Sequence, residues 1–396
     1  MRYVGVTSRG IRLPILKQGD DLAKEVVNSL LLASKNEGFA FHDRDVVAIT
    51  ESIVARTQGN YCSINDIAED VKEKTGGQSV GVLFPILSRN RFAIMLRGIS
   101  LGVKKVYLML SYPRDEVGNA LINEEDIYRT GINPYTDVLD IKRFRELFGH
   151  PVHEFTGVDY IEYYTQIIKD AGAEVEVIFA NQAEAILKYT DVVIAADIHT
   201  RKATKRKLKE KGARIVLGLD DIMTASRNGS GYNDKYGLLG ANKSTEDKIK
   251  LFPREGDGLV QDVQARLLKE TGKHIEVMVY GDGAFKDPQG KIWELADPVV
   301  SPFHTKGLLG TPNELKLKYL ADEAFKDLKG SELKEAITKE IQTKEKDLKG
   351  KMASEGTTPR QITDLLGSLS DLTSGSGDKG TPVVLIQGYF DTYAND

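Results

Sequence analysis

VKKVYLML (103–110), EVEVIFA (174–180), DVVIAAD (191–197) and ARIVLGL (213–219) recur between helical patterns at Tyr160 to Ala171, Gln182 to Tyr189 and Thr204 to Lys211. Near-continuous Val and Ile runs alternating with amphipathic helices indicate strands of a parallel sheet covered on both faces. The spacing predicts a Rossmann-like, doubly wound α/β domain over 103–235, with the Gly, Ser and Asn rich stretch 224–233 as its exit loop. Its first strand is not followed by GxGxxG, so it lacks the fingerprint of a dinucleotide-binding oxidoreductase.

On either side, shorter α/β patterns define a second unit, expected to take 1–102 as its first part and 236–396 as its second. The former carries an apolar run at Leu13 to Leu16, a helix from about Asp20 to Ser34 and a strand at Val46 to Ile49. The latter carries a helix from Leu259 to Lys269, the strand Ile275 to Tyr280, a lysine and glutamate rich run from Asn313 to Met352, and the final strand VVLIQGYF (383–390). The lysine-rich run reads as an amphipathic helix pair, suited to a subunit contact in a homodimer.

The 396 residues carry 54 Lys and Arg against 58 Asp and Glu, a net charge of −4, so no global attraction draws the chain to nucleic acid or to an anionic membrane. An anionic ligand has to be held locally. The single cysteine, Cys62, excludes an internal disulfide and a cysteine-built zinc site. The first residues lack a signal-peptide core, and no apolar run reaches the ~18 to 20 residues that span a bilayer. A cytoplasmic location follows as the expectation. The six histidines form no HExxH, and no GxSxG occurs, so a side-chain nucleophile has no support.

Three places could carry chemistry. TSGSGDKGTP (373–382) precedes a strand, which excludes a P-loop, but it can form an anion nest with Lys379 as a point charge, or be a plain turn. Asp282 follows a strand between two glycines, where a carboxylate suits Mg²⁺ or Mn²⁺ or simply makes an Asp-Gly turn. Asp115 and Glu116, in SYPRDEVGN (111–119), also follow a strand and could ligate metal or cap a helix.

Taken together these elements resemble the γ-glutamyl ligases that add glutamate to the deazaflavin coenzyme F(420)-0. LPILKQGDDLA (13–23) is similar to the family's opening element, and DVVAITESIVARTQG (45–59) to its strand with a hydroxyl residue and a basic residue before glycine, with Arg56 where lysine is usual. GANKST (240–245) followed by LFP (251–253) resembles the family's metal and nucleotide element, with Asn242 in place of aspartate. ARLLKETGK (265–273) leads through a strand to Asp282, and GSGDKGTPVVLIQG (375–388) resembles the closing glycine loop, with Ser376 where an acid is expected. The middle domain is an insertion.

The resemblance implies an α+β ligase core of that type. It implies a GTP- or ATP-dependent acid–amino-acid ligase that activates a carboxylate as an acyl phosphate for attack by L-glutamate. Leu13, Pro14, Ile15, Leu16, Ser52, Arg56, Thr245, Gly375, Ser376, Gly377, Asp378 and Lys379 would contact nucleotide, Arg56 and Asp282 would serve catalysis, and Asp282 with Asn242 would hold Mg²⁺ or Mn²⁺. Asp115 and Glu116 would supply the missing carboxylates. Nucleotide, L-glutamate and a carboxylate acceptor are the implied partners. Two readings stay open beside this one, a folate-like acceptor and a nucleotide-binding regulatory protein that has lost ligation.

Overall fold

The computed structural model describes residues 3–281, 284–286, 293–295, 301–355, 360–374 and 378–395. Strand Val46–Thr50 lies in the middle of a five-stranded sheet, parallel to Glu276–Tyr280 on one side and antiparallel to Val383–Gln387 on the other. Thr7–Ile11 pairs with Val383–Gln387 at one edge and Phe303–His304 with Glu276–Tyr280 at the other. The central strands are apolar except at their ends, Thr50, Glu276 and Gln387, because side chains alternate between two covered faces. Val47, Ile49, Val277, Val279, Val383 and Leu385 pack under helices Leu22–Glu37 and Gly256–Thr271. Val46, Ala48, Met278, Tyr280, Val384 and Ile386 face helix Ile362–Ser374 through Leu366. Each such fully buried side chain contributes roughly 1.5 to 3 kcal/mol.

The helix expected from Asp20 begins one turn position later. Asp21 caps it by accepting from the Lys24 amide, and Gly38 ends it with φ 71°. The lysine-rich run forms a short helical turn at 317–324 and the helix Gly330–Thr343, and its apolar stripe is spent internally: Leu320, Ile337 and Ile341 pack on one another and on Phe325.

The second sheet has six strands, in the order Leu139–Asp140, Glu174–Phe179, Lys105–Leu110, Ser79–Leu83, Val192–Ala195, Ile215–Gly218. All pairs are parallel except the first. Helices Ile64–Thr75, Phe92–Leu101 and Tyr160–Asp170 cover one face through Ile67, Leu96 and Ile161; the turn Ala183–Lys188 and helix Arg201–Glu210 cover the other through Ile186 and Leu208. Gly98 lets the first two of these helices approach, since a Cβ there would sit 2.9 Å from the Ile67 Cβ. The fold is thus α/β, with a doubly wound sheet beside a mixed one.

A division of the chain at 103 would pass between strands 79–83 and 105–110, which are hydrogen-bonded neighbours. The core of the six-stranded sheet runs from Cys62 to Leu251 and includes Ile249. Strand 79–83 leaves no local trace of this membership, because the partners on both its sides come later in the chain. A fragment spanning 62–251 is therefore expected to melt cooperatively and give a dispersed amide spectrum. A fragment of 103–225, lacking the central strand, is expected to give a collapsed spectrum.

Candidate functional site

Strands 46–50 and 276–280 run the same way, and strands 7–11 and 383–387 follow the register Ile11↔Val383↔Ile49. One edge of the sheet therefore gathers the segments that follow Ile11, Thr50 and Tyr280 and the segment that precedes Val383. Backbone hydrogen bonds lock them together: Leu13 N donates to Gly380 O at 3.2 Å, Thr50 N to Pro382 O at 2.9 Å and Gly19 N to Thr57 O at 2.9 Å. Leu13 to Leu16, Ser52, Arg56, Asp378 and Lys379 thereby come to one end of one sheet. Leu16 is buried and anchors its loop; Ile15 stays exposed.

Ser52 and Arg56 stand one turn apart on helix Glu51–Gln58, which starts directly at the end of strand 46–50 and stops at Gly59, φ 65°. Arg56 is exposed and Ser52 half-buried. Asp282, the expected metal and catalytic carboxylate, and Gly375, Ser376 and Gly377 lie outside the described residues; Gly281, next to Asp282, ends at the same edge.

Beside these segments opens a cleft of about 860 Å³ between strand 7–11 and helix 22–37. Arg9, Arg12 and Lys379 line it against a single acid, Glu37. Arg9 is fixed by a 2.6 Å bond from Nη1 to Gln387 Oε1 and by the Phe39 ring, 4.7 Å from its guanidinium carbon. Gln387 is itself held by donating to Asp45 Oδ2 at 2.6 Å. Three cations, with Arg9 held in place, give this near-neutral protein a local concentration of positive charge.

A buried ion pair, Lys250 Nζ to Glu51 Oε1 at 2.7 Å, adjoins the site with the two side chains 9% and 1% exposed. Lys250 is in register with Asn242 on one side and Tyr61 on the other, in a three-stranded sheet. Asn242 is therefore tied to the start of helix 51–58 through Lys250. Thr245 sits in the exposed turn of that hairpin, where its hydroxyl accepts from Lys248 N at 3.1 Å. The sequence reading missed Glu51, Lys250, Arg9 and Arg12. Lys250 shows no local signal, because its pairing partner lies far back in the chain; the two arginines lie just before the LPIL motif and their charge was the available clue.

Asp115 and Glu116 are placed elsewhere, at the carboxyl end of the six-stranded sheet. Asp115 accepts from Leu87 N, Val117 N, Asn119 N and Asn119 Nδ2 at 2.8 to 3.1 Å. Glu116 accepts from the amides of Ile198 and His199. Both carboxylates hold loops together, and their lone pairs are turned to backbone donors rather than to a cation. Among the described residues no group of three or more His, Cys, Asp or Glu could hold a metal ion. The described part of the expected ligand set, Asn242 with Asp115 and Glu116, does not fit Mg²⁺ or Mn²⁺, which leaves Asp282 as the remaining candidate.

The α/β fold thus carries a cationic cleft beside motif-bearing loops at one end of one sheet. No helix among the described residues is long and apolar enough to cross a membrane. The family model for F(420)-0:Gamma-glutamyl ligase matches residues 10–388, and the chain belongs to that family of ligases. It is similar to the coenzyme F(420):L-glutamate ligase of Methanocaldococcus jannaschii, with 25% identity over 204 residues, 50% of this chain and 67% of the relative.

Burial pushes the Asp115 carboxyl up to about 6, against the pull of its amide donors. The native state then binds this proton more tightly than the unfolded chain, so between about pH 4 and 6 this group's contribution makes stability fall as pH rises. Asp115→Asn is expected to remove that slope. It should also cost ~1 to 3 kcal/mol, because an amide turns N–H donors onto N–H donors; thermal unfolding from pH 4 to 7 without metal checks both. Lys250→Ala is expected to destabilise by up to about 3 to 5 kcal/mol by removing the cation that Glu51 Oε1 meets at 2.7 Å, and Glu51→Gln in the same chain should recover part of the loss.

Proposed function

We propose that the chain is a nucleotide-dependent γ-glutamyl ligase. GTP or ATP transfers its terminal phosphoryl group to an acceptor carboxylate, and the nucleoside diphosphate leaves. The amine of L-glutamate then attacks the acyl carbon, an amide forms, one proton is released from nitrogen and inorganic phosphate departs. The convergence of Leu13 to Leu16, Ser52, Arg56 and Lys379 at one sheet edge, beside the cleft of Arg9, Arg12 and Lys379, is the observation that carries this reading. The acceptor it favours is a deazaflavin of the F(420)-0 kind, the substrate class in the family's description.

Each residue acts by position or charge. Leu13 to Leu16, Ser52 and Thr245 contact the nucleotide, and Arg56 and Lys379 meet phosphate oxygens. The reaction needs no protein nucleophile, since phosphate is a sufficient leaving group. The protein contributes by holding amine and acyl carbon at reacting distance and by matching the charge that develops on phosphate. When bound at Asp282, Mg²⁺ or Mn²⁺ would neutralise phosphate charge.

Asn242 favours a second reading, a nucleotide-binding protein without ligation, because an amide is a weaker and uncharged oxygen donor than the aspartate of the family pattern. Release of inorganic phosphate, dependent on both L-glutamate and a deazaflavin or pterin acceptor, separates the two. Turnover is expected with wild type and a tenfold or larger loss of kcat/KM with Arg56→Ala or Lys379→Ala, both exposed and unneeded for packing. Nucleotide binding without turnover on any acceptor would support the second reading. Calorimetry of GTP and ATP with and without Mg²⁺ is expected to show a metal-dependent affinity that Asp282→Asn weakens; equal affinities in all cases would overturn the metal assignment.

A further inference from the structure

A cavity of about 800 Å³ at the carboxyl ends of the six-stranded sheet is lined by Asp115, Glu116, Glu124 and Asp197, and all four acids are engaged within the protein. Backbone amides hold the first two, Arg114 pairs with Glu124, and the Thr200 and Thr204 hydroxyls donate to Asp197 at 2.6 and 2.7 Å. The cleft of about 860 Å³ between strand 7–11 and helix 22–37 is different, because three cations face one acid and two of the cations are uncommitted. Arg12 and Lys379 are exposed and have no ion-pair partner among the described residues. Arg9 is positioned without being neutralised. Its bond to the uncharged Gln387 side chain uses one of five guanidinium donors, and the Phe39 ring backs the group at 4.7 Å.

The two walls of the cleft carry different chemistry. Arg9 and Arg12 stand three residues apart on an extended segment, so their backbone positions lie roughly 10 Å from each other. The facing wall, on helix Leu22–Glu37, presents Ser29, Leu32, Ala33 and Asn36 at three- and four-residue steps, which puts them on one side of the helix. None of the four is charged, and Leu32 is 59% exposed. An apolar side chain left open opposite a row of positive charge matches a ligand that has an anionic end and an apolar body, since each wall then removes from water the part of the ligand it complements.

We propose that this cleft binds a molecule in which an anionic tail is joined to a flat aromatic body, with Arg9 and Arg12 taking the tail and the Leu32 side of helix 22–37 receiving the body. On the ligation reading that molecule is the carboxylate acceptor, lying beside a nucleotide held at Leu13 to Leu16, Ser52 and Arg56. The acceptor role rests on that reading; the binding itself does not. Arg9 and Arg12 select among ligands by charge, and Leu32 by the presence of an apolar body.

Calorimetry on the full chain tests this with excess GDP and Mg²⁺ present to fill the nucleotide pocket. FMN and riboflavin share one ring system and differ by the phosphate; folate supplies a second anionic aromatic probe, and inorganic pyrophosphate an anion without a body. FMN or folate is expected to bind saturably and at least tenfold more tightly than riboflavin and pyrophosphate, with an affinity that falls as salt rises. Arg12→Ala, at an exposed position, is expected to weaken that binding at least fivefold, and Leu32→Ser at least threefold. Failure of both FMN and folate to bind, binding of riboflavin or pyrophosphate as tight as theirs, or unchanged affinity in both variants would overturn the proposal. The readout needs no turnover, so glutamate-dependent phosphate release alongside negative binding results would overturn this inference alone, and binding without phosphate release on any acceptor would overturn the ligation reading alone.

Discussion

The pairing of strand 46–50 with 276–280 and 383–387 is the constraint on which the five-stranded half depends. These three segments belong to the beginning, the later middle and the end of the chain, and each is apolar on both faces. Apolar burial on two sides fixes their alternation, and a slip of one residue would exchange the helix-facing sets. Once the register is set, the residues directly after Ile11, Thr50 and Tyr280 and directly before Val383 come to one end of the sheet. The candidate site is thus a consequence of sheet register, and its loops need little intrinsic order of their own.

The three-stranded sheet joins this half to the six-stranded one. Strand Tyr61–Ser63 follows helix 51–58 directly, pairs with Lys248–Lys250, and brings the Glu51–Lys250 ion pair into the interior. At the far strand, Lys243 N donates to Asn90 O at 2.8 Å, in the loop after strand 79–83. A buried pair of this kind adds little net stability against apolar replacement but penalises misplacement, since parting the two charges forfeits their attraction in a low-dielectric interior. It therefore specifies how helix 51–58, with Ser52 and Arg56, is set against the hairpin carrying Asn242 and Thr245.

The two strand-end regions have opposite electrostatic character. The cleft of Arg9, Arg12 and Lys379 is cationic, whereas the cavity of Asp115, Glu116, Glu124 and Asp197 is anionic.

The sequence by itself determined the α/β class, the parallel run of strands from 103 onward, and the motifs LPIL, ESIVAR and GDKGTP, because period, apolar content and turn residues are local quantities. It also exposed the family resemblance, which depends on the order of motifs and not on their distances. Tertiary structure alone decided that strand 79–83 sits at the centre of the inserted sheet, that Asp115 and Glu116 are saturated by the amides of residues 87, 117, 119, 198 and 199, and that Lys250 meets Glu51. Each of these is a contact between residues far apart in the chain or a count of hydrogen-bond donors around one oxygen. No window of neighbouring residues contains that information, because the donors and partners arrive only when strands from distant parts of the chain take their register.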